Sequence, residues 1–198
     1  MRSIRCAESP CIRGTVLALI LSMVAPQLTC AEQVRDTCLA KVPKTAAEVL
    51  AQKFPGYRLP KMTDQSEEDR RLDMADGGDG CLMVANGDFS GHGRKDVAVL
   101  LISKDDTKVR LVAALRGRSS WTTYELPTWC RGPDQGCYVK VAEPGVYTRT
   151  QSLPAPSDPA DKEKIESKND GILSGKLESN GVVHVFKEGS WQHVWVSD

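Results

Sequence analysis

Residues 97–126 read Val97-Ala-Val-Leu-Leu-Ile-Ser-Lys-Asp-Asp-Thr-Lys-Val109-Arg-Leu-Val-Ala-Ala-Leu-Arg-Gly117-Arg-Ser-Ser-Trp121-Thr-Thr-Tyr-Glu-Leu126. Val97–Ile102 is almost continuously apolar, which predicts a strand buried on both faces or set in the middle of a sheet. Asp105-Asp106 predicts a tight turn into a second strand, Val109–Leu115. Gly117-Arg118 predicts another turn into Ser120–Leu126. Read as a two-residue loop, it sets Arg110 opposite Glu125 and Leu111 opposite Tyr124, and both pairings are favourable across an antiparallel ladder. This three-strand meander decides the fold class: mainly β (α+β), built on antiparallel meander sheets.

Upstream, Cys81–Ala85 is a further short apolar run. Residues 60–80 are charged and Gly/Asp-rich without periodicity, and read as loop. Residues 32–44 read as an irregular lead-in. Between these, Thr45-Ala-Ala-Glu48 has the capping-box pattern, and Ala46, Val49, Leu50 and Phe54 recur at helical spacing up to Pro55-Gly56. One short N-terminal amphipathic helix is expected there. Downstream, Tyr138–Ala142 and Gly145–Thr148 read as short strands. Residues 152–170 are charged and broken by Pro154, Pro156 and Pro159, the composition of a flexible surface loop. The chain closes on a hairpin, Val182–Phe186 and Trp191–Val196, turning at Glu188-Gly189. That register pairs Phe186 with Trp191, His184 with His193 and Val182 with Trp195. Val183, Val185, Val194 and Val196 share the other face, the better core face.

The whole sequence has 198 residues, 26 basic and 26 acidic side chains and seven cysteines. A neutral balance argues against a binder of nucleic acid or other polyanions. The N-terminus predicts export. Arg2, Arg5 and Arg13 precede the uncharged run Thr15–Ala25, which is shorter than the roughly 20 residues of a membrane span. Basic flank, short apolar core and the small residues around Thr29-Cys30-Ala31 describe a signal peptide over 1–31. The alternative makes Cys30 a lipidated anchor. Cleavage removes Cys6, Cys11 and Cys30 with three Arg and Glu8. What remains, 32–198, is a single β-rich domain of about −2 charge with four cysteines. In an oxidising space these form two disulfides, and three connectivities are open. Cys130 and Cys137 flank a turn-rich loop able to close on itself, which would leave Cys38 with Cys81.

The sharpest chemical motif is Asp88-Phe-Ser-Gly-His-Gly-Arg-Lys-Asp96. Oxygen-bearing side chains at alternate positions, with glycines between, let a loop curl round a hard cation. Asp88, Ser90 and His92 fall at the first three ligand positions, the Arg94 carbonyl at the fourth and Asp96 at the fifth. Phe89 is expected to point inward as an anchor. The motif resembles the FG-GAP and VCBS calcium-loop repeats in Asp88, Phe89, Gly91, Gly93, Asp96 and the apolar strand that follows. The resemblance covers about 16 residues in one copy, and implies propeller-blade-like sheets without a multi-blade propeller. Ser90 and His92 depart from the repeat's Asp or Asn, and nitrogen suits a softer metal than Ca²⁺. Calcium binding is expected to be weak or lost.

No GxSxG, HExxH or Walker loop occurs. Paired cysteines offer no thiolate. The three histidines are His92, His184 and His193. The last two read as exposed neutral imidazoles, since a metal would need a third ligand from another strand. Export and the aromatic candidates Trp121, Trp129, Trp191 and Trp195 point to a non-catalytic periplasmic or secreted binding protein. Trp191, Trp195, His184 and His193 are the expected contact residues. The partner class is a protein of the envelope. Calcium-loop proteins that resemble lysozyme inhibitors or immunity proteins make a cell-wall hydrolase the concrete candidate. The alternatives are an envelope hydrolase with a carboxylate pair, whose acids need no sequence proximity, and a structural module of an envelope complex.

Overall fold

The computed structural model describes residues 36–133, 136–152, 156 and 158–197, which belong to one compact unit. The expected signal peptide and Cys30 lie outside them. The helices are α1 (Thr37–Lys41), α2 (Lys44–Lys53) and α3 (Glu67–Ala75). The strands are β1 (Tyr57–Arg58), β2 (Val84–Gly87), β3 (Asp96–Ser103), β4 (Val109–Arg116), β5 (Trp121–Leu126) and β6 (Cys137–Ala142). They continue as β7 (Gly145–Thr148), β8 (Lys164–Ser167), β9 (Gly171–Lys176), β10 (Gly181–Lys187) and β11 (Ser190–Ser197). Among the described residues strand predominates over helix and every strand pair is antiparallel, so the expected mainly β class holds.

β1, β3, β4 and β5 follow one another in the first sheet, and β2 also pairs with β3. β1 occupies one end of the β3 edge, at Ile102 and Ser103, and β2 the other, at Asp96–Val99. The second sheet runs β11-β10-β9-β6, and β7 pairs with β8 in a separate ribbon. Side chains alternate across each sheet. Ala98, Leu100, Leu111 and Ala113 meet Val139 and Ile172 of the second sheet in one core. Val97, Val99, Leu101, Val112 and Ala114 turn the other way, onto Cys38, Ala46 and Leu50 of α1 and α2. β3 is therefore covered on both faces, and all its residues are buried as its composition predicts. The far face of the second sheet sets Val183, Val185 and Val194 against Ile165 of β8, with Val196 partly buried beside them.

The β10–β11 hairpin has the expected register, Phe186 with Trp191, His184 with His193 and Val182 with Trp195. Its turn residues Glu188 and Gly189 both have positive φ, 52° and 81°, as a tight two-residue turn requires. The disulfides are Cys38–Cys81 and Cys130–Cys137, with Cα atoms 5.2 Å and 5.9 Å apart. Disulfides of this kind belong to an oxidising, extracytoplasmic setting. Among the described residues no helix is long and apolar enough to cross a membrane.

Several local expectations are corrected. Among the described residues there are three α-helices, not one. α1 falls in the expected lead-in, capped by Asp36, whose carboxylate accepts from Leu39 N at 3.1 Å. α3 lies in the expected loop. Ser66 caps it at Asp69 N, 3.0 Å, and Glu67, Glu68 and Asp69 suit the positive end of its dipole. Its apolar residues escaped notice because they make no stripe: Leu72 and Met74 are 47% and 51% exposed, and only Asp73 is buried. α2 starts at Lys44 without a side-chain cap. Thr45 instead accepts from the Trp121 indole N–H at 3.0 Å. The β4–β5 connection takes four residues, so Leu111 faces Leu126 and Ala113 faces Tyr124. Arg110 still reaches Glu125 at 2.8 Å from one rung away. The expected loop 152–170 contains β8, and Asp161 pairs with His193 of β11 as an isolated bridge.

Candidate functional site

The Asp88–Asp96 loop leaves β2 and returns as β3, so both its ends are fixed in one ladder. Phe89 is fully buried in the inter-sheet core, as the spacing predicts. Gly91 and Gly93 take φ of 71° and 69°. Asp88 accepts from His92 N at 2.9 Å and Gly93 N at 2.8 Å. Asp96, fully buried, accepts from Ser90 N at 2.7 Å and from Arg116 N of β4 at 2.6 Å. Each of the four carboxylate oxygens thus faces a backbone N–H. Of the five expected ligands, the loop brings Ser90 onto Asp96 and His92 onto Asp88 through main-chain contacts. The His92 side chain is exposed. Ser90 Oγ and Arg94 Nε are buried without a hydrogen-bond partner. The bonds of Asp88 and Asp96 hold the loop's shape, and these carboxylates and the unpaired Ser90 Oγ are the oxygens that a cation would have to draw on.

A second segment clamps the loop. Asp170 accepts from Asp88 N at 2.8 Å. A Cβ on Gly91 would lie 2.2 Å from Asn169 Nδ2, so the glycine also permits this close approach. Ser167 holds the clamp's own turn, donating to Asn169 O at 2.6 Å. Loop, clamp and the β10–β11 turn enclose a cleft of about 770 Å³. The loop contributes Ser90 and His92, the clamp Glu166, Lys168 and Asn169, and the hairpin Phe186, Lys187 and Glu188. Two carboxylates therefore share one cleft with two ammonium groups. The clamp residues were missed in the sequence because they lie in the charged stretch 152–170 and match no motif.

Of the expected partner-contact residues His184 is buried, and Trp191, His193 and Trp195 are half-buried. His184 is 1% exposed, with Nε2 3.0 Å from Ser174 Oγ. Burial, and then His193 nearby, push its pKa down to about 3, so it is neutral. This corrects the expectation of an exposed imidazole: β9 and β11 flank it on both sides. His193 lies 4.0 Å from Asp161, itself paired with Arg149 at 2.6 Å. Trp191 packs on Phe186 and Tyr124, with ring centroids 5.3 Å and 6.2 Å away. Trp195 sits under Trp129, ring centroids 4.8 Å apart, and Trp129 is 59% exposed. Among the described aromatics the most exposed is thus Trp129, one residue before the Cys130–Cys137 loop. Comparison with known proteins returns no matching family, no matching curated protein and no matching solved structure.

Proposed function

We propose that the protein is a non-catalytic binding protein of the periplasm or the cell exterior, and that its partner is a protein, with a cell-wall hydrolase as the concrete candidate. The observation that supports this most is Trp129, a largely exposed indole braced edge-on by Trp195 and set beside a disulfide-closed loop. Rigid exposed aromatics are favoured interface anchors because little side-chain entropy is lost on contact. The test is inhibition of lysozyme and of envelope hydrolases by the purified protein. Wild type should protect the cell wall, and Trp129→Ala should weaken inhibition by about tenfold or more. No protection, or equal protection by the variant, would remove the reading. Calcium is assigned a weak role at most: calorimetry should show any heat reduced in Asp88→Ala, and equal null heats for wild type and variant would remove the ion from the account.

A second reading, an envelope hydrolase, draws on Glu166 and Glu188 lining one cleft. Turnover of a glycan substrate, lost in both Glu166→Gln and Glu188→Gln, would favour it over inhibition.

A further inference from the structure

We infer that the cleft between the Asp88–Asp96 loop and the β10–β11 turn is a saccharide site, taking a neutral oligosaccharide that carries acetamido groups. The inference needs neither the protein partner nor turnover. Its first support is charge. The cleft's two glutamates and two lysines are exposed, and none has an ion-pair partner among the described residues. A strongly anionic or cationic ligand would meet as much repulsion as attraction. Neutral hydroxyl and amide groups find donors in the lysines and acceptors in the glutamates, and charge-assisted hydrogen bonds are the stronger kind.

Its second support is Ser90, a half-buried residue of the cleft wall whose Oγ is turned away from solvent without a partner, one χ1 rotation from the cleft. A buried polar atom left unpaired costs free energy, and a sugar hydroxyl, donor and acceptor at once, can satisfy it. Asn169 on the clamp offers both functions of a carboxamide beside it. The third is Phe186, a half-buried ring braced by Tyr124 at 5.5 Å and Trp191 at 5.3 Å. Its edge of the cleft offers apolar surface to the C–H face of a sugar ring. The volume lies within the range of about 300–1,000 Å³ usual for small-ligand sites. The Asp170–Asp88 and Asn169–Gly91 contacts fix two walls in advance, which lowers the ordering cost of binding.

The test is an NMR titration of the ¹⁵N-labelled, disulfide-bonded protein with chitotetraose. A tetrapeptide of sequence Gly-Glu-Lys-Gly and inorganic phosphate serve as comparison ligands. Saturable shifts at Ser90, His92, Asn169 and Phe186 are expected, with a Kd below about 1 mM. Ser90→Ala removes only an unpaired hydroxyl, so its fold should persist while affinity drops by about tenfold. Glu188→Gln, on an exposed turn, should weaken binding by a few-fold. No saturable shift up to about 10 mM, shifts centred elsewhere, or full affinity in both variants would overturn the site. So would equal or tighter binding of the peptide or of phosphate at the same residues. Hydrolase inhibition without any chitotetraose binding would keep the protein-partner reading and remove this one.

Discussion

The loops Asp88–Asp96 and Cys130–Cys137 are of similar length, and different physics closes them. The first is held by carboxylates that accept four backbone N–H groups, with a clamp from Asp170. The second is closed by a covalent bond, and Leu177 N donates to Gly136 O within it at 2.9 Å. A loop built on hydrogen bonds depends on every member keeping its chemistry, because each buried group that loses a partner is left unpaired. A disulfide needs only an oxidising setting, and stabilises chiefly by restricting the unfolded chain. The first loop is thus the more sensitive to sequence and the second to redox conditions.

The largest break should come from Asp96→Ala. It leaves Ser90 N and Arg116 N without their acceptor, and should cost about 4 kcal/mol at roughly 1.5–3 kcal/mol per bond to a charged group. Urea denaturation reads this, and Asp96→Asn should recover part of it. Replacing Cys130 and Cys137 by serine should cost about 2.5 kcal/mol, the loop-closure entropy of so short a ring. It should leave the amide shifts of residues 88–93 unchanged. Equal disturbance of both loops by either change would erase the contrast.

The third effect touches neither closure. His184 binds its proton only near pH 3 when folded and near 6.5 when unfolded. Its contribution to stability is complete above pH 6.5 and is lost as pH falls from 6.5 toward 3. The slope is about 1.4 kcal/mol per pH unit for one proton. His184→Gln should flatten that part of the pH–stability curve, and an unchanged slope would mean that another group carries it.

The contrast also marks what the sequence discloses. β3, β4 and the β10–β11 hairpin were legible because burial on one or both faces imposes a hydrophobic period. Cys130–Cys137 was legible because the residues between favour a turn. The Asp88–Asp96 curl was visible in its glycines, while the clamp was not. Asp170 reaches Asp88 across 82 residues, and no local pattern records such a contact. α3 was hidden for the opposite reason, since a helix without an apolar face has no period to find. The four-residue β4–β5 turn shifted the ladder by two, because Gly117-Arg118 alone does not fix where the next strand resumes pairing. His184 looked like a surface residue because an imidazole with a hydroxyl partner can sit where an aliphatic side chain would.

α3 owes its place to Asp73, which binds Gly80 N at 3.0 Å and Lys140 at 3.0 Å, and to its caps. Elements with so little buried apolar surface open first, by local fluctuation at low free energy. Arg70 and Arg71 lie on this helix, within the stretch that the Cys38–Cys81 bond encircles. A tryptic cut there would sever the chain without releasing either piece. The nicked molecule would stay in one part until a reductant arrived, so what separates its halves is the redox state of the surroundings and not the protease.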